Sequence, residues 1–388
     1  MCPINTSNSF INYLFIFLTI NYNLLVKFVI RIDSTGYGLI FLSLLVFLIN
    51  FTSFKKLLTR KPIVFWLIWC LFALVNYYLH SHTSNILFFT LYRKIFIPLI
   101  VMTIVVLEYK KNPIKLIWLC FYTHFIFFIA GSYFDSGVLH RDLGVENELG
   151  NSYANISLFN IFYLVLLNNL KKIKTPIFLT ILMILLLVLA MSGTRKAFGS
   201  GVILSSFWIL TRLNLKSISS WFLVGLLVIV SLWGYNYLID HTYMGYRMEV
   251  LEAQQEENIY GDIPAYLNVL GDRAPLYYFG FLIFLSNPIF GVGLLQSQAV
   301  GKYIHSEYVV QLADNGIVGF ILFACMYVWI FRNLLKQVQQ NTKIGLSMCG
   351  GLAVLLFMFL TTWAWEFPQY FICAGILIGY CQSPANLR

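Results

Sequence analysis

The chain has 388 residues, 59% hydrophobic, 18% aromatic and only 11% charged, with a mean hydropathy of +0.77 and a formal net charge of +10. An ordinary soluble domain carries about 25% charged residues, so this composition excludes a water-soluble globule and describes a polytopic membrane protein. The 26 basic residues fall a few at a time between apolar runs, which excludes nucleic acid as the reason for the charge.

Apolar segments predict helices at about 10–30, 36–53, 62–80, 86–107, 116–133, 153–169, 175–192, 197–211, 218–239, 312–331, 344–365 and 369–383. The expected fold is an all-α polytopic membrane protein of about 12 transmembrane helices, a single integral domain over residues 1–388. The first positive residue is Lys27 and no A-x-A cleavage site is evident, so the first segment is expected to be a retained helix. The seven cysteines lie in or beside apolar segments, with no C-x-x-C pair and no zinc-like spacing, and read as small packing residues. No metal and no cofactor is expected.

Orientation follows from the short loops. Lys55, Lys56, Arg60 and Lys61, then Lys110, Lys111 and Lys115, then Lys171, Lys172 and Lys174 fall on one side. Arg212, Lys216, Arg332, Lys336, Lys343 and Arg388 bring that side to 16 of the 26 basic residues, which marks it as cytoplasmic. The run "LYYFGFLIFLSNPIFGVG" (276–293) is interrupted by Ser286, Asn287 and Pro288. Counted as a span, it would put Arg332, Lys336 and Lys343 outside. It is therefore expected to be a short helix at, or dipping into, the outer surface, within one large periplasmic loop over 240–311.

This map places "MSGTRKAFGS" (191–200) outside, so Arg195 and Lys196 break the charge rule. With Thr194 as a natural N-cap, both cations would sit at the positive end of the following helix dipole, disfavoured by about 0.3–1 kcal/mol each. An anion explains both anomalies, since helix N–H groups and an Arg fork form a phosphate site. Snorkelling to lipid headgroups is the competing explanation. The outer surface also offers Arg141 in "HRDLGVENELGNSYAN", Arg273 at the mouth of the short apolar helix, and His305 eleven positions before Gly316. Arg247 lies among Glu252, Glu256 and Glu257 and reads as part of a solvated ion pair. No G-x-S-x-G, P-loop or H-E-x-x-H occurs. The residues thus describe an outward cationic site with one candidate base, suited to a lipid-linked anionic substrate such as a polyprenyl diphosphate.

"SGTRKA", then Arg273 ahead of "NPIFGVG", then "HSEYVVQLADNGIVGF" resemble, in order, the signatures of the O-antigen polymerase and O-antigen ligase superfamily. The resemblance covers roughly residues 140–335, and Ser306 departs from the Asn that many members carry after the histidine. It implies a metal-independent glycosyltransferase of the bacterial inner membrane with its active site facing the periplasm. The donor would be an undecaprenyl-diphosphate-linked oligosaccharide, with membrane lipid, a chain-length regulator and a flippase as partners. The family's functional residues carry over onto Arg195, Arg273 and His305. The arginines would stabilise the leaving diphosphate, and His305 would accept the proton of the attacking hydroxyl. Lys196, Arg141, Arg93 and Lys94 are candidate substrate-binding residues around them.

Resemblance of "SGTRKAF" and "HSEY" to polymerases favours a polymerase of O-antigen or capsule, with a ligase that transfers glycan to lipid A–core as the alternative. The reading from another class is a flippase for the same lipid-linked sugar. Arg93, Lys94 and His124, lying within apolar segments, are its supporting features.

Overall fold

The computed structural model describes residues 9–24, 37–80, 88–134, 148–191, 195–212, 274–299, 304–362 and 368–383, and among these every element is helical. In chain order they are α1 (Ser9–Leu24), α2 (Tyr37–Ile49), α3 (Phe51–Leu57), α4 (Lys61–His80), α5 (Phe88–Lys111), α6 (Pro113–Phe134) and α7 (Glu148–Asn169). There follow α8 (Thr175–Met191), α9 (Arg195–Leu210), α10 (Ala274–Ser286), α11 (Gln296–Ala299), α12 (Glu307–Gln340), α13 (Thr342–Thr361) and α14 (Pro368–Gln382). Eleven of the twelve apolar segments coincide with helices; the segment at 218–239 and most of 240–311 lie outside the described residues.

By length and composition, Lys61–His80, Glu307–Gln340 and Thr342–Thr361 are each sufficient to cross a membrane. The chain is a multi-pass membrane protein. One expectation changes: the segment at 36–53 is bent by 83° between α2 and α3. The cause is Asn50, whose side-chain amide bonds Val46 O at 2.9 Å and Asn12 Oδ1 at 2.8 Å and holds φ/ψ at −101°/12°.

The core is aromatic where α4, α12 and α14 meet. Trp66 lies 4.8 Å from Trp69 and 5.5 Å from Phe371, and Trp69 lies 6.0 Å from Phe323, ring centre to ring centre. Small residues let other helices approach closely: a Cβ on Gly375 would meet Val105 at 2.8 Å, so α14 lies nearly backbone-to-backbone on α5. Asn341 ends α12 and begins α13, its own N–H bonding Gln337 O and its side chain accepting the Ile344 N–H.

The long helix α12 is not continuous. Gly316 has φ 62° and ψ −169°, a conformation that breaks the i→i−4 ladder. The carbonyls of Ala313 and Asp314 lose the amides of Ile317 and Val318, leaving four orphan groups. The stretch 288–293 supplies all four partners. Val292 and Gly293 donate to Ala313 O and Asp314 O at 3.0 and 2.8 Å, while Ile317 and Val318 donate to Pro288 O and Ile289 O at 2.9 and 3.2 Å. The contact is backbone on backbone. A Cβ on Gly316 would clash with Ile289 O, and one on Gly291 (φ 72°) would clash with the Asp314 carbonyl.

Docking at this break sets the course of 274–299. Tyr277 near the start of α10 donates to His305 O at 3.3 Å, so the segment leaves and returns at the same end of the bundle. Its turn reaches Gly316, nine residues into α12, a depth of about 14 Å. The stretch 288–293 is thus folded back against α12 inside the protein.

Gly316→Ala forces a side chain into left-handed backbone and into a carbonyl oxygen, and should cost at least about 2 kcal/mol. A Cβ on Gly199 finds only Phe357 at 3.8 Å, so Gly199→Ala should be neutral or slightly stabilising. Melting temperatures of the detergent-purified variants check this; equal melting of the two would refute the clash.

Candidate functional site

The site is assembled around the C-terminal end of α13. This helix ends at Thr361, with Thr362 extended beyond it. Its last carbonyls have no partners within the helix, and they carry the negative end of its dipole. Three sequence-distant elements supply donors. The Lys196 ammonium, in the first turn of α9, donates to Thr361 O at 3.1 Å and to Thr362 Oγ1 at 2.7 Å. The Tyr277 hydroxyl, on α10, donates to Leu360 O at 3.0 Å. The Ser306 hydroxyl, next to His305, donates to Phe359 O at 3.5 Å and caps α12 through the Val309 N–H.

This explains the anomaly of Lys196. A cation at the start of its own helix is misplaced against that dipole, but the same cation lies at the end of α13, where the dipole and carbonyls favour it. Arg195 is the first residue of α9, one position before it. His305 is exposed in the extended residues before α12, with its backbone carbonyl held by Tyr277 and its two neighbours, Ile304 and Ser306, buried. Arg273 lies outside the described residues and directly precedes Ala274, the first residue of α10. Arg141 also lies outside them. The starts of α9, α10 and α12 therefore converge on one helix end, together with Arg195 and His305.

Beneath this rim runs a buried polar network that the sequence reading did not assemble. Glu307, Gln311, Asp314 and Asn315 on α12 all have no solvent exposure. Gln311 donates to Glu307 Oε1 at 2.8 Å and accepts from Trp69 Nε1 at 3.2 Å and Asn315 Nδ2 at 3.0 Å. The Asn76 amide, on α4, donates to Phe290 O at 2.7 Å and Asp314 O at 3.0 Å, tying the docked stretch to the broken helix. The Asp314 carboxylate accepts the Leu295 and Ser297 N–H groups at 2.8 and 3.0 Å, with Lys94 within electrostatic reach. A buried carboxylate needs such partners. Lys94 thus faces an acid of the protein, and Arg93 precedes it on α5. The signal available in sequence was the density of Asn, Gln, Asp and Glu in "HSEYVVQLADNG", too polar for a lipid-facing first turn. No group of three or more His, Cys, Asp or Glu able to hold a metal occurs among the described residues.

With this geometry in place, the comparison with protein families adds one finding. Residues 178–324 match the family model described as O-antigen ligase. The likeness covers 147 of the 388 residues. It runs from α8 into α12 and contains Arg195, Arg273, the docked stretch 288–293, His305 and Gly316. Arg93, Lys94 and Arg141 lie before it. Comparison with curated proteins gives no match.

Lys196→Met removes a charged donor from two oxygens and should destabilise the fold by about 1.5–3 kcal/mol. Lys172→Met, at an exposed lysine after α7, should change stability by less than about 0.5 kcal/mol. Thermal melting in detergent distinguishes them, and an unchanged Lys196→Met would remove the bond to α13.

Proposed function

We propose that this chain is a glycosyltransferase that polymerises undecaprenyl-diphosphate-linked repeat units into O-antigen or capsular polysaccharide. It would span the inner membrane about twelve times and work on the periplasmic face. The observation that carries the reading is the convergence of the helix starts bearing Arg195, His305 and the residue after Arg273 on the end of α13. The match to the O-antigen ligase family model supports the reaction class.

The reaction is displacement at the anomeric carbon of the lipid-linked glycan. A hydroxyl of the acceptor sugar attacks, its proton passes to the His305 imidazole, and undecaprenyl diphosphate leaves with growing negative charge. A neutral imidazole, with an ordinary pKa of about 6.5, suits that role near neutral pH. Arg195 and Arg273 would hold the departing diphosphate; one preorganised donor of this kind is worth about 2.7–4 kcal/mol. Arg141 would add contact to the diphosphate or glycan, and Lys94 and Arg93 would approach from the membrane side. Direct displacement inverts the anomeric centre. A flippase and a chain-length regulator would be partners upstream and alongside.

The family model's description favours a second reading, transfer of finished glycan to lipid A–core. Lipopolysaccharide gels of a deletion strain separate the two. Core bearing one repeat indicates loss of a polymerase, and bare core with accumulated lipid-linked polymer indicates loss of a ligase.

Complementation of that strain tests the residues. Arg273→Lys keeps the charge but loses the planar fork that grips two phosphate oxygens, and should abolish most activity at normal membrane levels. Arg247→Lys should be mild. Equal tolerance at both positions would exclude Arg273. With purified protein, His305→Gln should lower turnover by about 10² or more while donor binding persists. Turnover near wild type would end the general-base role.

A further inference from the structure

The opposite end of the bundle holds a groove that the reaction does not use. It is a cavity of about 570 Å³ between α4 and α12, lined by Phe65, Phe320, Val328, Trp329 and their neighbours along its length. Its basic end is formed by Lys61, Arg332 and Lys336, with the Asn333 amide beside them. Arg332 and Lys336 are one turn apart on α12, and Lys61 is the first residue of α4. The three cations are exposed, and no acidic side chain lines the groove. Nor is there a local acid in sequence: none lies between Asp33 and Glu108, or between Asp314 and Glu366.

Dimensions match one leaflet. From Phe320 to Arg332 is twelve residues, about 18 Å along the helix. Half of a bilayer's hydrocarbon core is about 15 Å. An apolar trough of that length, ending in three cations and a helix N-terminus, is complementary to one anion carried on an acyl chain. A zwitterionic headgroup would bring a further cation to the same mouth.

We propose that this groove is a binding site for an anionic phospholipid of the cytoplasmic leaflet, its phosphate held by Lys61, Arg332 and Lys336 and one acyl chain lying between α4 and α12. The site is at the other end of the molecule from His305, and it stands whichever glycan the enzyme handles. Because α12 also carries the Gly316 break, an occupied groove would brace the lower half of the helix on which the docked segment rests.

Trp329 lies in the groove and reports on its occupant. The protein is reconstituted in phosphatidylcholine vesicles containing increasing fractions of chain-brominated phosphatidylglycerol or chain-brominated phosphatidylcholine. Fluorescence lost by wild type but not by Trp329→Phe isolates quenching at this site. Half-maximal quenching is expected at a fraction of phosphatidylglycerol at least about fivefold lower than of phosphatidylcholine, the effect of about one cation's attraction or more. Lys61→Gln/Arg332→Gln/Lys336→Gln should bring the two curves together, and Lys336→Gln alone, at an exposed position, should bring them partly together if the triple variant folds poorly. Equal quenching by both lipids in wild type, or a preference kept in the variants, overturns the proposal. Displacement of the brominated lipid by polyprenyl phosphate at a lower fraction than by unlabelled phosphatidylglycerol overturns it too, by assigning the groove to another lipid.

Discussion

The structure depends on four hydrogen bonds at one broken helix. In a membrane, an unsatisfied peptide group costs several kcal/mol, so a transmembrane helix cannot simply stop its ladder and resume. Gly316 makes such an interruption, and it is stable because the chain at 288–293 offers two amides and two carbonyls in the complementary order. The fit requires that neither backbone carry a side chain at the point of contact, and glycine stands on both sides, at 291 and 316. Asn76 bridges the two strands of the joint from α4, and Asp314 caps the turn that follows it. The polar side chains of α12 are buried against protein: Asp314 accepts from the folded-back piece, and Gln311 accepts from Trp69 on α4.

That joint also bears on where the start of α12 and His305 stand. Once 288–293 is pinned about a leaflet's depth down α12, α10 must rise back toward the end at which α12 begins. Its Tyr277 then reaches both the His305 carbonyl and the end of α13. From the other side, Lys196 fixes the start of α9 to the same helix end. The negative dipole of α13 is neutralised by protein donors. The basic residues Lys61, Arg332 and Lys336 gather at the opposite end of the same helices.

Much of this was legible beforehand, and the parts that were not share a cause. Apolar length alone marked eleven of the helices found, because backbone satisfaction in lipid leaves few alternatives. Charge in short loops argued against a span at 276–293, and the structure adds that its stretch 288–293 docks on the break in α12. What sequence could not supply were partners far apart along the chain. Lys196 looked misplaced because its bond is to Thr361 and Thr362, 165 and 166 residues away. Asn76 and Asp314 are 238 apart. The left-handed φ of Gly316 depends on the segment that docks there, which no local pattern registers. The bend at Asn50 likewise follows from a bond to Asn12, which no apolar window registers. Arg195, Arg273 and His305 were nominated as a group by the resemblance of their motifs, in order, to one family.

In the proposed function, the end of the bundle around His305 and Arg195 joins lipid-linked glycan units to one another. The most direct measurement uses purified protein, reconstituted in vesicles, with lipid-linked repeat units extracted from a strain lacking this gene and no lipid A–core present. A polymerase yields a ladder of products that lengthens by one repeat at a time while undecaprenyl diphosphate is released. A donor that stays intact under these conditions, and is consumed only when lipid A–core is added, would contradict the proposal.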